Sequence, residues 1–106
     1  MKSKVRGYIG LAARGGNLLY GETLFYKSDR CKLVFLASDA SEQTKEKVRQ
    51  LVNRNHLPCL EIFSKEELGH ITGKNQIAIL GLSHQALARQ ILQLLKESDR
   101  NGSEGK

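Results

Sequence analysis

Two unbroken apolar runs constrain the fold of this chain more than any other feature. They are Leu33-Val34-Phe35-Leu36-Ala37 and Ile77-Ala78-Ile79-Leu80. Each is short and carries β-branched or aromatic members. That is the pattern of a strand covered on both faces, because side chains on both sides of the pleat then meet protein. Such strands need helices above and below them.

Helical patterns duly surround them. Val5, Ile9 and Ala12 share one face of a segment from 3 to 14, with Tyr8 beside them, Ser3 as its cap and Gly15-Gly16 as its stop. Residues 17–20 read as a short strand or extended connector, and 21–28 as a second helix ending in the polar turn Ser28-Asp29-Arg30. After the strand 32–37, Asp39 or Ser41 can cap a helix over 41–55 whose buried stripe is Val48, Leu51 and Val52. Pro58 prevents its continuation. Leu60 to Phe63 reads as a third strand. Ser64 and Glu67 fit a capping box for a short helix to Ile71, and Gly73-Lys74-Asn75 turns into the strand 76–82. Ser83 can cap a last helix with Leu87, Ile91, Leu94 and Leu95 in one stripe. Alternating helices and short strands predict an α/β domain over residues 1–96, with a mostly parallel or mixed four-stranded sheet between helical layers. From Glu97 the chain has no apolar residue, which predicts a disordered polar tail over 97–106.

With 40% hydrophobic residues the chain can bury a core. No run approaches the ~20 apolar residues of a membrane span. The basic N-terminus is followed by neither an apolar stretch nor a cleavage site, so a soluble cytoplasmic protein is expected. Cys31 and Cys59 each border an apolar run and are expected as reduced, mostly buried thiols.

The net charge is +6, and its distribution says more than its size. Residues 1–32 hold seven cations (Lys2, Lys4, Arg6, Arg14, Lys27, Arg30, Lys32) against Glu22 and Asp29, or +5; the rest carries ten cations and nine anions, or +1. A positive field confined to one region suits a polyanionic partner such as nucleic acid. A solvated basic face with no partner would read the same way.

Residue chemistry argues for binding rather than catalysis. His56, His70 and His84 are scattered, and His56-x-x-Cys59 is a single pair without a metal-ligand spacing. Gly69-x-x-x-Gly73-Lys74-Asn75 has one residue too few between its glycines for a phosphate-binding loop. It places Asn where Ser or Thr should hold magnesium, and it follows a helix instead of a strand. No nucleophile–base pair or paired acids are apparent. Nothing implies a catalytic centre, a metal or a cofactor.

The stretch that most resembles a working surface is Gly21-Glu22-Thr23-Leu24-Phe25-Tyr26-Lys27. Read as a helix start, it presents unpaired N–H groups to an anion, with Thr23 in the first turn and Lys27 one turn beyond. Read structurally, it is an amphipathic helix with Leu24 and Phe25 in the core and Lys27 in water.

Several segments together resemble the L-seven-Ae superfamily of kink-turn-binding ribosomal proteins, and within it the bacterial YlxQ-type branch. They are Gly10-Leu11-Ala12-Ala13-Arg14, Gly21-Glu22-Thr23-Leu24, Lys32 to Ala40, and Phe63 to Gly69, with Gly73-Lys74 at the family spacing. The resemblance spans residues 5–95 and implies a three-layer α/β/α sandwich. The family's RNA-binding motif reads Gly-x-Asn-Glu-x-x-Lys. Gly21 and Lys27 match its ends, while Thr23 stands for Asn and Leu24 for Glu. Leu24 cannot accept a hydrogen bond from a guanine. The segment from Lys27 to Lys32 is shorter than the family pattern, so the second helix should be short and Arg30 displaced.

The resemblance further implies an RNA-binding role for Gly21, Glu22, Thr23, Leu24, Lys27 and Arg30. It adds the loop Ile71-Thr72-Gly73-Lys74, which would pack on a flipped-out nucleotide, and Ser41, Lys45 and Lys65 nearby. The expected protein is a non-enzymatic monomer that binds structured, kinked RNA and associates with the ribosome. The alternative keeps the fold but lets the RNA site degenerate, leaving a protein-interaction module in translation.

Overall fold

The computed structural model describes residues 2–104, with side chains to Lys96. In order the chain forms α1 (Lys2–Arg14), β1 (Leu18–Tyr20), α2 (Glu22–Tyr26), a 3-10 turn (Ser28–Arg30), β2 (Leu33–Leu36), α3 (Glu42–Asn55), β3 (Cys59–Leu60), α4 (Lys65–Thr72), β4 (Ile79–Leu82) and α5 (Gln85–Glu104).

The four strands make one mixed sheet in the order β1-β4-β2-β3. β4 runs antiparallel to both β1 and β2, and β2 runs parallel to β3. All four residues of β2 are buried, as its unbroken apolar run requires. Residues opposite each other across a ladder share a face. Leu19, Gly81, Val34 and Cys59 therefore point one way, and Tyr20, Leu80, Phe35 and Leu60 the other. On the Phe35 face lie α1, α4 and α5, with α1 packed against the other two. There Phe35 meets Phe63 at a ring separation of 6.2 Å. On the opposite face α2 packs against β1, and α3 against β2 and the 3-10 turn. The sheet is thus the middle of three layers.

Gly81 sits at the centre of that second face. A Cβ built on it would come within 2.7 Å of Leu24 Cδ1, 3.1 Å of Cys31 Sγ and 3.3 Å of Leu19 Cβ. The bare backbone there lets α2 press Leu24 directly onto the sheet. Leu24 is fully buried, which stabilises the fold by roughly 2 kcal/mol.

Several boundaries differ from those the sequence predicts, each for a local reason. α2 stops at Tyr26 because Lys27 (φ −119°, ψ 34°) leaves the helix and starts the 3-10 turn. β3 covers Cys59–Leu60 only, and Phe63 leaves the ladder to enter the core. β4 begins at Ile79, because the Ile77 N–H donates to the Lys65 carbonyl instead of to a strand. At the start of α5, His84 Nδ1 accepts from the Leu87 N–H at 3.2 Å, while the Ser83 hydroxyl donates to the Asn17 carbonyl. His84 thus does the capping expected of Ser83. The Ser41 cap and the Ser64/Glu67 capping box form as read. The α5 backbone is helical to Glu104, where the sequence predicts a tail without order. The side chains from 97 onward, and residues 105–106 entirely, lie outside the described residues.

Among the described residues no helix is long and apolar enough to cross a membrane. Both cysteines are free. Burial raises the Cys31 thiol above its ordinary value, and burial pushes Cys59 up to about 11. Both are therefore poor nucleophiles at neutral pH.

Candidate nucleic-acid interface

One end of the sheet gathers the segments singled out in the sequence. β1 ends at Tyr20, and the Gly21 N–H donates to the Ile79 carbonyl at 3.4 Å, which fixes the chain to the start of β4. Gly21 adopts φ 50°, ψ −123°, a conformation that an L side chain would strain. Nothing lies within 4 Å of where its Cβ would be, so glycine is needed for its backbone and not for space. The chain then reverses directly into α2.

From the other side comes the end of α4. Gly73 caps it, the Lys74 N–H donates to the Gly69 carbonyl at 2.8 Å, and Lys74 Nζ stands 4.9 Å from the centre of the Tyr20 ring. Tyr20, Gly21, Thr44, Lys74, Ile77 and Ile79 line one hollow of about 450 Å³. The Gly21 turn and Lys74 of the Gly73-Lys74 loop, far apart in the sequence, share this hollow.

The remaining candidates divide by what already occupies them. Glu22, Thr23, Lys27 and Arg30 are exposed. Among the described residues, neither Lys27 nor Arg30 has a carboxylate within ion-pairing distance. Ser41 is exposed, but its hydroxyl accepts from the Thr44 N–H and donates to the Thr44 hydroxyl. Lys45 and Lys65 are half-buried, and the Lys65 N–H donates to the Asp39 carboxylate at 2.8 Å. Ile71 is half-buried, and the Thr72 hydroxyl donates back to the Leu68 and Gly69 carbonyls of its own helix.

Two expectations need correction. Leu24 is 0% exposed; it faces Gly81 and Cys31 in the core and presents nothing to a ligand. The open amide end of α2 is also a weaker feature than the sequence suggests. The helix has five residues and its Gly21 N–H is already bonded, so few aligned peptide dipoles remain to attract an anion. Positive side chains have to supply most of the attraction.

The basic N-terminus is spent elsewhere. Arg6 donates to the Glu67 carboxylate at 2.8 Å, Lys2 lies 4.0 Å from it, and both cations sit over the Phe63 ring. The Ser64 N–H, chiefly, and then the charge of Lys2 hold Glu67 below the ordinary carboxyl range. Part of the +5 of residues 1–32 is thus a structural cluster around Phe63.

Sequence reasoning missed Tyr20, Thr44, Ile77 and Ile79 as lining residues. A strand end and a helix first turn carry no signal of a shared hollow; only the pairing of β1 with β4 and the packing of α3 bring them together.

The model of the "Ribosomal protein L7Ae/L30e/S12e/Gadd45 family" matches residues 3–91. An Enterococcus faecium protein named "RNA-binding protein YlxQ" is 35% identical over 98 residues, covering 90% of this chain and 94% of that protein. The Bacillus subtilis (strain 168) protein of the same name is 33% identical over 90 residues, 82% of this chain and 90% of its own. A solved structure of a Bacillus halodurans protein of unknown function superposes with a TM-score of 0.80 at 29% identity, covering 88% of this chain and 97% of that one.

Proposed function

The chain belongs to the ribosomal protein L7Ae/L30e/S12e/Gadd45 family, and from that premise we propose that it binds structured, kinked RNA at the Gly21–Lys74 end of its sheet. It acts as a cytoplasmic monomer that associates with the ribosome. The observation that carries this reading is the single hollow shared by the Gly21 turn and Lys74, with the exposed cations Lys27 and Arg30 on the chain that leaves it.

Lys27 and Arg30 neutralise phosphates, which positions the RNA without reading its sequence. The hollow, with apolar Ile77 and Ile79 beside Tyr20, receives a nucleotide splayed from a bend. Lys74 waits over the Tyr20 ring, a contact worth only ~0.5–1 kcal/mol at an exposed site, and exchanges it for a phosphate. Ile71, Thr72 and Gly73 flank it, with Ser41, Lys45 and Lys65 on the bordering elements. Glu22 and Thr23 line the approach. With Leu24 in the core, base-edge reading at that position is gone, and recognition rests on shape and charge.

The test is a gel-shift series at fixed salt, comparing a kink-turn RNA with the same duplex lacking its bulge. The kinked RNA is expected to bind more tightly. Equal binding would reject recognition of the bend and favour a protein-interaction module or a purely electrostatic RNA binder. Gradient sedimentation of cell extract tests the ribosome association: the protein is expected to travel with ribosomal particles, and migration as a free monomer would remove that part.

A further inference from the structure

We propose that Tyr26 is a base-stacking residue, whose ring receives an unpaired nucleobase of the bound RNA. The chain has three Tyr, three Phe and no Trp. Phe35 and Phe63 are buried, and Tyr8, Tyr20 and Phe25 pack against the core. Tyr26 alone among these rings is 82% exposed. Among the described residues its side chain has no ring partner, cation–π partner or hydrogen bond, so the fold gives the ring no task.

Its placement is set by Leu24. Two residues on a helix turn the side chain by about 200°, so with Leu24 pressed into the sheet Tyr26 must point outward. It stands three residues from Thr23 and four from Glu22, on the same outward face, next to Lys27. Its seat is firm: Leu24 is fully buried beneath it, and the following Lys27 N–H donates to the Thr23 carbonyl at 2.9 Å. A ring held on a fixed backbone loses little freedom when it stacks.

Chemistry selects the occupant. Lys27 and Arg30 favour a polyanion beside the ring, but the Glu22 carboxylate on the same face disfavours a phosphate at the ring itself. A neutral base satisfies both. Stacking also suits the loss of base-edge reading at Leu24, because every base offers a π-face and the contact tolerates sequence.

This inference rests on the RNA-binding reading, and the experiment separates the two. The full chain and its Tyr26→Ala, Tyr26→Leu, Tyr26→Phe and Tyr26→Trp variants are titrated with a kink-turn RNA and with the same RNA carrying abasic nucleotides in its bulge. Ala and Leu are expected to weaken binding by about 5- to 100-fold with an unchanged salt slope, while Phe and Trp stay within ~3-fold. The Trp variant carries the chain's sole indole, and its emission should quench on saturation with the intact RNA but not with the abasic one. Parental melting temperatures verify folding. Unchanged affinity in Tyr26→Ala, or unquenched Trp emission, overturns the assignment. Failure of the parent chain to bind the RNA at all overturns the functional reading, and this inference with it.

Discussion

Lys2 and Arg6 at one corner of the molecule, and Lys27 and Arg30 at another, contribute equally to the net charge and are used in different ways. The first pair closes on Glu67 and covers the Phe63 ring. There the carboxylate also caps α4, so charge, ring and helix end hold one another. The second pair stands in water with no carboxylate in reach among the described residues. Charge counted along a sequence measures the field of a region. It does not tell which cations are committed to the fold and which remain for a partner.

Substitutions can break or sharpen this contrast. Phe63→Ala removes the ring from the committed corner and should cost ~3–5 kcal/mol in denaturant unfolding. A loss below ~1 kcal/mol would mean the ring does not anchor this corner. Gly21→Ala forces a side chain into φ 50° and should cost ~1–3 kcal/mol, with a matching fall in RNA affinity as the α2 entry shifts.

Glu67→Gln should cost less, and its effect should depend on pH. Folding lowers the Glu67 carboxyl below its ordinary 4.5. Its stabilisation is therefore complete above that value and drains away as pH falls through the folded value. Unfolding curves of parent and variant should converge in acid; a gap that stays constant with pH would contradict the fold's preference for the ionised Glu67 carboxylate. Lys27→Ala and Arg30→Ala should change stability by under ~0.5 kcal/mol. Each should still flatten the logarithmic salt dependence of RNA binding by ~0.7–0.9. Arg6→Ala should show the reverse pattern, and identical profiles for Arg6 and Lys27 would erase the contrast.

What the sequence reveals and what it hides follows the same division. The buried run of β2, the Val5/Ile9/Ala12 and Val48/Leu51/Val52 faces and the Ser64–Glu67 cap are local patterns, set by periodicity or by side chains three residues apart. They can be read without knowing what packs against them. The ends of β3 and β4 depend on distant partners, such as the Lys65 carbonyl that takes the Ile77 N–H, and so the boundaries slip. In the candidate site, Gly21 and Lys74 were visible through the family motif and loop. Tyr20 and Thr44 were not, because nothing within their own segments marks them as neighbours of Lys74. The motif reading of Leu24 fails for a related reason. A motif position can be matched in sequence while the side chain now occupying it turns inward.

The missing methyl at Gly81 has a reach that its position conceals. The depth at which the surface helix rests is fixed inside the sheet, where Leu24 nests against bare backbone. A strand residue that no ligand could touch thus sets the height of Tyr26 and Lys27 above the molecule. Selection acting on the outer face would be felt at that interior position, as on the foundation of a wall.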